Sequence, residues 1–268
     1  MSSNATDTTS MPAHAKNPRV ALVTGSNQGI GLGVAQRLAR DGMVVIVNGT
    51  RSDVTAAVAQ ELRDSGAQAI GIAADVSDEK AMLALFKEIE SRYGRLDVLV
   101  NNAGISLRLE GKKALVENTP TEFWERTLAI NLTGAFFASR AAIPLMKANQ
   151  WGRIINMTSQ AARMDTGFPG AYYAASKAGL IGFSRVMAGE VGLLGITVNC
   201  ISPGRIITPM ASTFANAEAV MQQYIDRTPL RKLGTTDDVA GIAAFLASGE
   251  SGFITGAIID VNGGFYMP

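Results

Sequence analysis

Seven short runs of aliphatic and β-branched residues recur along the chain, separated by stretches with helical spacing of apolar positions. The runs are Val20–Thr24, Val44–Val47, Ala69–Ala73, Leu96–Val100, Arg153–Met157, Ile196–Ile201 and Ala257–Val261. Strands apolar along their whole length are buried on both faces, as parallel sheets covered by helices require. The alternation therefore predicts an α/β fold with one doubly wound sheet of about seven parallel strands and helices on both faces. No repeat, linker or composition break interrupts the 268 residues, so residues 18–268 are expected to form a single domain. Residues 1–17 are rich in Ser, Thr, Asn and Ala, lack an apolar h-region and are expected to form a flexible tail.

Between the strands, helices are expected over Ile30–Arg40 and Asp53–Asp64, and from Asp78 to about Tyr93 with Ser77 as N-cap. Residues 105–118 read as an irregular connection. Thr119-Pro120-Thr121-Glu122 has the spacing of a capping box and predicts a long helix running to about Lys147 despite Pro144. Residues 204–228 read as a long loop with some helix, followed by a helix over Thr236–Ala247.

Composition narrows the chemistry. The net charge of +1 offers no basic field for nucleic acid and no polybasic membrane patch. No stretch reaches the ~18 apolar residues of a membrane span. Cys200 is the only cysteine, so no intramolecular disulfide can form, which fits a reducing compartment such as the cytoplasm. His14, the only histidine, lies in the tail, which leaves no His-based metal site and no Ser-His-Asp triad. Acid–base chemistry must then use Tyr, Lys or carboxylates, and no metal is expected.

Two motifs carry chemistry. Thr24-Gly25-x-x-x-Gly29-x-Gly31 lies between a strand and a helix, where glycines let the backbone approach a pyrophosphate and the helix N-terminus presents N–H groups. Tyr173 stands four residues before Lys177 on an expected helix, so phenol and ammonium share one face. A Tyr with pKa near ~10 exchanges protons poorly at neutral pH, and a fixed cation nearby favours the phenolate.

With these in place, the chain resembles the short-chain dehydrogenase/reductases over about residues 18–264. The motifs stand in family order: Thr24-Gly25-Ser26-Asn27-Gln28-Gly29-Ile30-Gly31, Asp75-Val76, Asn101-Asn102-Ala103-Gly104, Asn131, Ser159, Tyr173-x-x-x-Lys177, Asn199, Pro203-Gly204 and Thr208. The resemblance implies a Rossmann-like fold and hydride transfer between a nicotinamide cofactor and a ketone or secondary alcohol. It makes Tyr173 the general acid/base, with Tyr172 the neighbouring alternative, although only Tyr173 stands four residues before the lysine. Lys177 becomes the residue that lowers the phenol pKa and binds the nicotinamide ribose, and Ser159 the residue that holds the substrate oxygen. Ser159 is 14 residues before Tyr173 where many relatives have 13, which leaves Thr158 as an alternative. Asn131 is implied to extend a proton relay to the lysine.

The resemblance also assigns the cofactor contacts. Asp75 and Val76 are implied to hold the adenine, Asn102, Ala103 and Gly104 to pass under the adenosine ribose, and Pro203, Gly204, Ile206 and Thr208 to orient the carboxamide and pyrophosphate. The position that holds an acid in NAD-dependent relatives is Gly49. Arg51 offers a donor fork to a 2′-phosphate, so NADP(H) is expected over NAD(H), although Gln28 stands where many NADP-binding members have a basic residue. Residues from Pro209 to about Tyr224, with Met210, Phe214 and Met221, are a candidate substrate lid. Arg108, Arg163 and Arg205 fall in or beside the cleft segments. The chain resembles 3-oxoacyl-carrier-protein reductases most, then sugar, gluconate and other secondary-alcohol dehydrogenases. A non-catalytic nucleotide sensor would have lost Tyr or Lys, and a halohydrin-lyase-type relative would carry a disrupted turn and Arg at the lysine position. Expected partners are a small carbonyl or alcohol substrate and further copies of the chain, through helices around 120–147 and 171–190 and a second surface near Gly263-Gly264.

Overall fold

The computed structural model describes residues 18–208 and 217–268, with side chains from residue 221 onward in the second segment. The expected tail and the lid residues Met210 and Phe214 lie outside the described residues.

Strands β1 (Val20–Val23), β2 (Val44–Gly49), β3 (Ala69–Ala73), β4 (Val98–Asn101), β5 (Gly152–Met157), β6 (Ile196–Pro203) and β7 (Ile258–Val261) form one seven-stranded sheet in the order 3-2-1-4-5-6-7. Every pairing is parallel. Helices α1 (Gly29–Arg40), α2 (Ser52–Asp64) and α8 (Thr236–Ala247) cover one face. The other is covered by α3 (Glu79–Tyr93), α5 (Gly134–Lys147) and α6 (Ala171–Val191). Helix α4 (Thr121–Leu128) leads into α5, and α7 (Ala217–Arg227) follows the β6 loop. Successive strand side chains alternate between two cores, with Val23, Val45 and Val100 in one and Leu22, Ile46 and Leu99 in the other.

Helix boundaries correct two expectations. Asp78, not Ser77, caps α3: its carboxylate accepts from Lys80 N at 2.9 Å and Ala81 N at 3.2 Å. The Ser77 hydroxyl instead donates to Asp75 Oδ1 at 2.7 Å. The capping box expected at Thr119 does not form. Pro120 takes the N-cap position, and the Thr119 hydroxyl donates to the Leu115 carbonyl at 2.8 Å. A reciprocal box occurs instead at α8, between Thr235 and Asp238. The continuous helix Thr121–Lys147 is long and apolar enough to cross a membrane by length and composition alone. Its apolar residues Ala138, Ala142, Leu145 and Met146 are buried in the second core.

That long helix is not uniform. Ala129–Thr133 forms a π turn centred on Asn131, the kind of local widening found where a helix serves a site. Below the sheet's carboxyl edge, a polar chain crosses four elements. Asn101 Nδ2 donates to Ser139 Oγ at 3.1 Å and to Asn156 Oδ1 at 2.8 Å, and Asn156 Nδ2 donates to Ser184 Oγ at 2.7 Å. These bonds tie β4 and β5 to α5 and α6, and being buried they fix one register for the helix that carries Tyr173.

Replacing Thr235 by Ala removes the hydroxyl that accepts from Asp238 N at the α8 N-terminus and is expected to lower unfolding free energy by about 1 kcal/mol. Urea denaturation measures the change; Thr119→Ala serves as a comparison expected to shift the midpoint less.

Candidate active site

The strands β1, β4, β5 and β6 end at one edge of the sheet, and the residues just beyond them line a single cleft of ≈ 590 Å³, within the ~300–1,000 Å³ range of small-molecule sites. The chain reverses direction across the sheet between β1 and β4, where open α/β folds place their ligands.

The turn after β1 is clamped to the turn after β4. The Thr24 Oγ1 accepts from Asn102 N at 3.0 Å and Ala103 N at 3.1 Å, and Asn102 Nδ2 donates to the Thr24 and Gly25 carbonyls, both at 3.0 Å. Gly25 has φ +62°, and a Cβ there would lie 2.8 Å from Ala103 Cα. A Cβ at Gly31 would run into Gly25 O and Asn102 Nδ2. Neither position tolerates a side chain. Helix α1 starts above this turn with no side-chain cap and no acidic residue in its first turn. Its end is thus open to an anion, and the cradle fits a pyrophosphate.

Of the expected cofactor residues, Gly25, Asn27, Gln28, Gly29, Ile30, Arg51, Asp75, Val76, Asn102, Ala103, Gly104, Pro203, Gly204, Ile206 and Thr208 line the cleft. Ser26 and Gly31 lie behind its surface. The Ser26 hydroxyl donates to the Val23 carbonyl at 2.8 Å and accepts from Asn48 N at 3.1 Å, so it secures the turn. Arg51 is 70 % exposed at the mouth, bonded to Asp53 Oδ2 at 2.7 Å; the Asp53 carboxylate raises its pKa. The Asp75 carboxylate accepts from Ser77 N at 2.9 Å and from Arg126 at 2.8 Å. Burial opposes ionisation of Asp75, but the Ser77 and Arg126 hydrogen bonds outweigh it and lower its pKa. Arg126, a cleft residue missed in the sequence, sits 51 positions from Asp75 and carries no motif.

Deeper in, Ser159, Tyr173 and Lys177 share the cleft floor. Thr158 Oγ1 donates to the Ile201 carbonyl at 2.9 Å, whereas Ser159 Oγ accepts from Ala161 N at 3.2 Å and lies close enough to Tyr173 to pull its phenol pKa down. Tyr172 is fully buried: its hydroxyl donates to the Leu107 carbonyl at 2.6 Å, and its ring packs edge-on against Phe123 at 6.0 Å. Geometry thus separates both pairs that sequence left open. Lys177 is 4 % exposed, and its Nζ donates to the Met157 carbonyl at 2.7 Å and lies 5.8 Å from the Tyr173 ring centre. Asn131 accepts from Ile105 N at 2.8 Å and donates to Ser176 Oγ at 3.0 Å. A Cβ at Gly104 would lie 3.3 Å from both Asn131 Oδ1 and Lys177 Nζ, so the two meet across Gly104.

The electrostatics differ from the expectation. Burial pushes the Tyr173 pKa up, with only the Ser159 hydrogen bond pulling it back. Burial also pushes Lys177 down to about 8. An ammonium that has itself lost hydration, 5.8 Å from the ring, does not overcome the desolvation of a phenolate.

Gln160 and Phe168, to which the sequence reading gave no role, and Tyr224, the far bound of the expected lid, line the remaining end. The Gln160 amide donates to the Tyr224 hydroxyl, and Tyr224 stacks on Phe265 at 4.1 Å and accepts from Arg205 N at 3.2 Å. Burial drives the Tyr224 phenol up to about 12. Arg108 and Arg205 line this end too, whereas Arg163 pairs with Asp260 and lies over the Tyr266 ring.

A Lys whose folded pKa of about 8 lies below its unfolded 10.5 destabilises the fold fully below pH 8 and ceases to do so as pH rises toward 10.5. The stability advantage of Lys177→Met over the wild type is therefore expected to shrink between pH 7.5 and 10 in paired urea titrations.

A family model described as "Enoyl-(Acyl carrier protein) reductase" matches residues 25–266. The chain is 39% identical over 254 residues to the 3-oxoacyl-[acyl-carrier-protein] reductase of Staphylococcus aureus, covering 94% of this chain and 100% of that protein. Among solved structures, a 3-oxoacyl-[acyl-carrier protein] reductase with bound NAD from Brucella melitensis superposes with TM-score 0.86 at 34% identity, covering 98% of this chain and 99% of that one. A gluconate 5-dehydrogenase from Burkholderia cenocepacia J2315, in complex with NADP and tartrate, superposes with TM-score 0.87 at 32% identity, covering 93% and 95%. Sheet order, glycine cradle and Tyr–Lys pair agree with these matches, and the chain belongs to the short-chain dehydrogenase/reductase family of NAD(P)-dependent oxidoreductases acting on C=O and CH–OH groups.

Proposed function

We propose that the protein is an NADPH-preferring ketoreductase in which Tyr173 is the general acid/base. The observation that carries this reading is that Ser159, Tyr173 and Lys177 line the same cleft that begins at the open N-terminus of α1. When bound, the nicotinamide supplies the hydride and, once oxidised, a positive charge. Ser159 and Tyr173 hold the substrate oxygen between two hydroxyls, and Tyr173 gives up its proton there as the oxygen gains charge. Lys177 and Asn131, adjacent across Gly104, return a proton toward the phenol and bind the nicotinamide ribose. Asp75 and Val76 flank the adenine, and the cradle from Gly25 to Gly31 holds the pyrophosphate, with Asn102 and Ser26 acting by fixing that turn. Arg51 receives the adenosine 2′-phosphate, and no acid at residue 49 repels it.

A 3-oxoacyl thioester is the first substrate class, on the likeness to the Staphylococcus aureus reductase over nearly the whole chain. A sugar-acid or related secondary alcohol is the second, favoured by Arg108 and Arg205 at the substrate end and by the gluconate 5-dehydrogenase likeness. We place the enzyme in the cytoplasm as a homo-oligomer. Trp124, Phe136 and Val186, exposed at 44%, 39% and 64% on α4, α5 and α6, support association through those helices.

Tyr173→Phe is expected to cut kcat by about 10²–10⁴-fold, with the NADPH dissociation constant from fluorescence titration within about twofold; unchanged turnover defeats the assignment. Arg51→Ala is expected to raise KM for NADPH by about tenfold, the loss of a charge-assisted bond, and to leave KM for NADH nearly unchanged. Equal effects on the two cofactors would remove Arg51 from its proposed role. A ketone panel that pairs acetoacetyl thioesters with 5-keto sugar acids separates the two substrate classes.

A further inference from the structure

Residue 49 ends β2 at the mouth of the cleft, and its lack of a side chain has a physical cause in the first turn. A Cβ built on Gly49 would lie 2.6 Å from Asn27 Cγ and 2.9 Å from Asn27 Oδ1, and closer still to Nδ2. The Asn27 carboxamide therefore occupies the volume into which any residue-49 side chain must grow. It is not there by chance rotation. Asn27 Nδ2 donates to Thr55 Oγ1 at 3.1 Å, and the Thr55 hydroxyl also reaches the Arg51 carbonyl at 2.7 Å. Thr55 is 1% exposed, on the first turn of α2. From behind, Gly71 of β3 lets the Thr55 backbone come so close that a Cβ at residue 71 would lie 2.9 Å from Thr55 C. Asn27, Gly49 and Arg51 all face the cleft.

We infer that Asn27, held by Thr55, is a specificity-determining residue that acts jointly with Gly49, so that cofactor choice at this end of the cleft is a property of the pair. The inference rests on the proposed placement of the adenosine ribose beside β2. Asn27 puts a neutral carboxamide where an acid would otherwise stand. It leaves a 2′-phosphate unrepelled, and it blocks an acid introduced at residue 49 from reaching a ribose hydroxyl. Rotating Asn27 aside costs its hydrogen bonds to Thr55, so the two positions are coupled. The three atoms nearest a Cβ at residue 49 all belong to Asn27.

The test is a double-mutant cycle with wild type, Gly49→Asp, Asn27→Ala and the double variant, reading NADH and NADPH dissociation constants by fluorescence titration and fold by circular dichroism. Gly49→Asp alone is expected to weaken NADPH without gaining NADH. Adding Asn27→Ala is expected to tighten NADH by at least about tenfold relative to the single variant, the size of coupling typical for residues in contact. Gly49→Ala with and without Asn27→Ala repeats the cycle without a new charge; NADPH binding lost in the single variant is expected to return in the double. Additive effects in both cycles would overturn the inference. A wild type that prefers NADH would instead defeat the NADP assignment, while the cycles still report whether residues 27 and 49 are coupled.

Discussion

The clamp between Thr24 and Asn102 is the constraint on which the site depends. It joins two turns 78 positions apart, at the one place where the chain changes direction across the sheet. β1 and β4 are neighbours whose following segments leave toward opposite ends of the sheet, and nothing in parallel pairing alone would keep those segments together. The Asn102 amide satisfies the Thr24 and Gly25 carbonyls, which a tight glycine turn leaves without partners. The same bonds define the cleft floor beneath the open end of α1. Cofactor cradle and sheet topology are one piece of structure.

A second polar system fixes the helix that carries Tyr173 and Lys177. The chain Asn101–Asn156–Ser184 and the contact of Asn131 with Ser176 hold α6 at two points, one below the site and one beside it. Each buried amide costs free energy unless it is satisfied, so the helix has one favourable rotational setting. That setting puts Tyr173 on the cleft and Tyr172 into the core. The desolvation that raises Tyr173 and lowers Lys177 comes from the same packing. A dry environment makes both groups sensitive to any charge brought beside them.

Much of this was legible in the sequence. Strands read from β-branched runs agree with the structure to within one or two residues, because burial on both faces leaves little choice of residue type. The expected cleft residues come from segments at or after the ends of β1 to β6, since the parallel topology brings those ends to one edge whatever the side chains. What sequence did not disclose depends on which of several available partners a side chain takes, near or far along the chain. Asp78 rather than Ser77 caps α3 because the Ser77 hydroxyl is drawn to Asp75, and Thr119 forms no box because Leu115 takes its hydroxyl. The partnership of Asn27 with Thr55 spans 28 residues and that of Gln160 with Tyr224 spans 64, with no spacing rule to announce either. The Tyr173 pKa escaped for a related reason: a Tyr-x-x-x-Lys spacing specifies proximity, whereas the balance of burial against charge belongs to the packed site.

The π turn over Ala129–Thr133 holds one residue more than a regular helix needs for the same path. An α-helix that gained a single residue at that place would bulge just there, leaving the faces of Thr121–Leu128 and Gly134–Lys147 packed as before. The asparagine at the bulge reaches the backbone of Ile105 because the widened turn carries it outward. The widened turn thus sets a side-chain amide against the Ile105 backbone within a rod that is regular on either side of it.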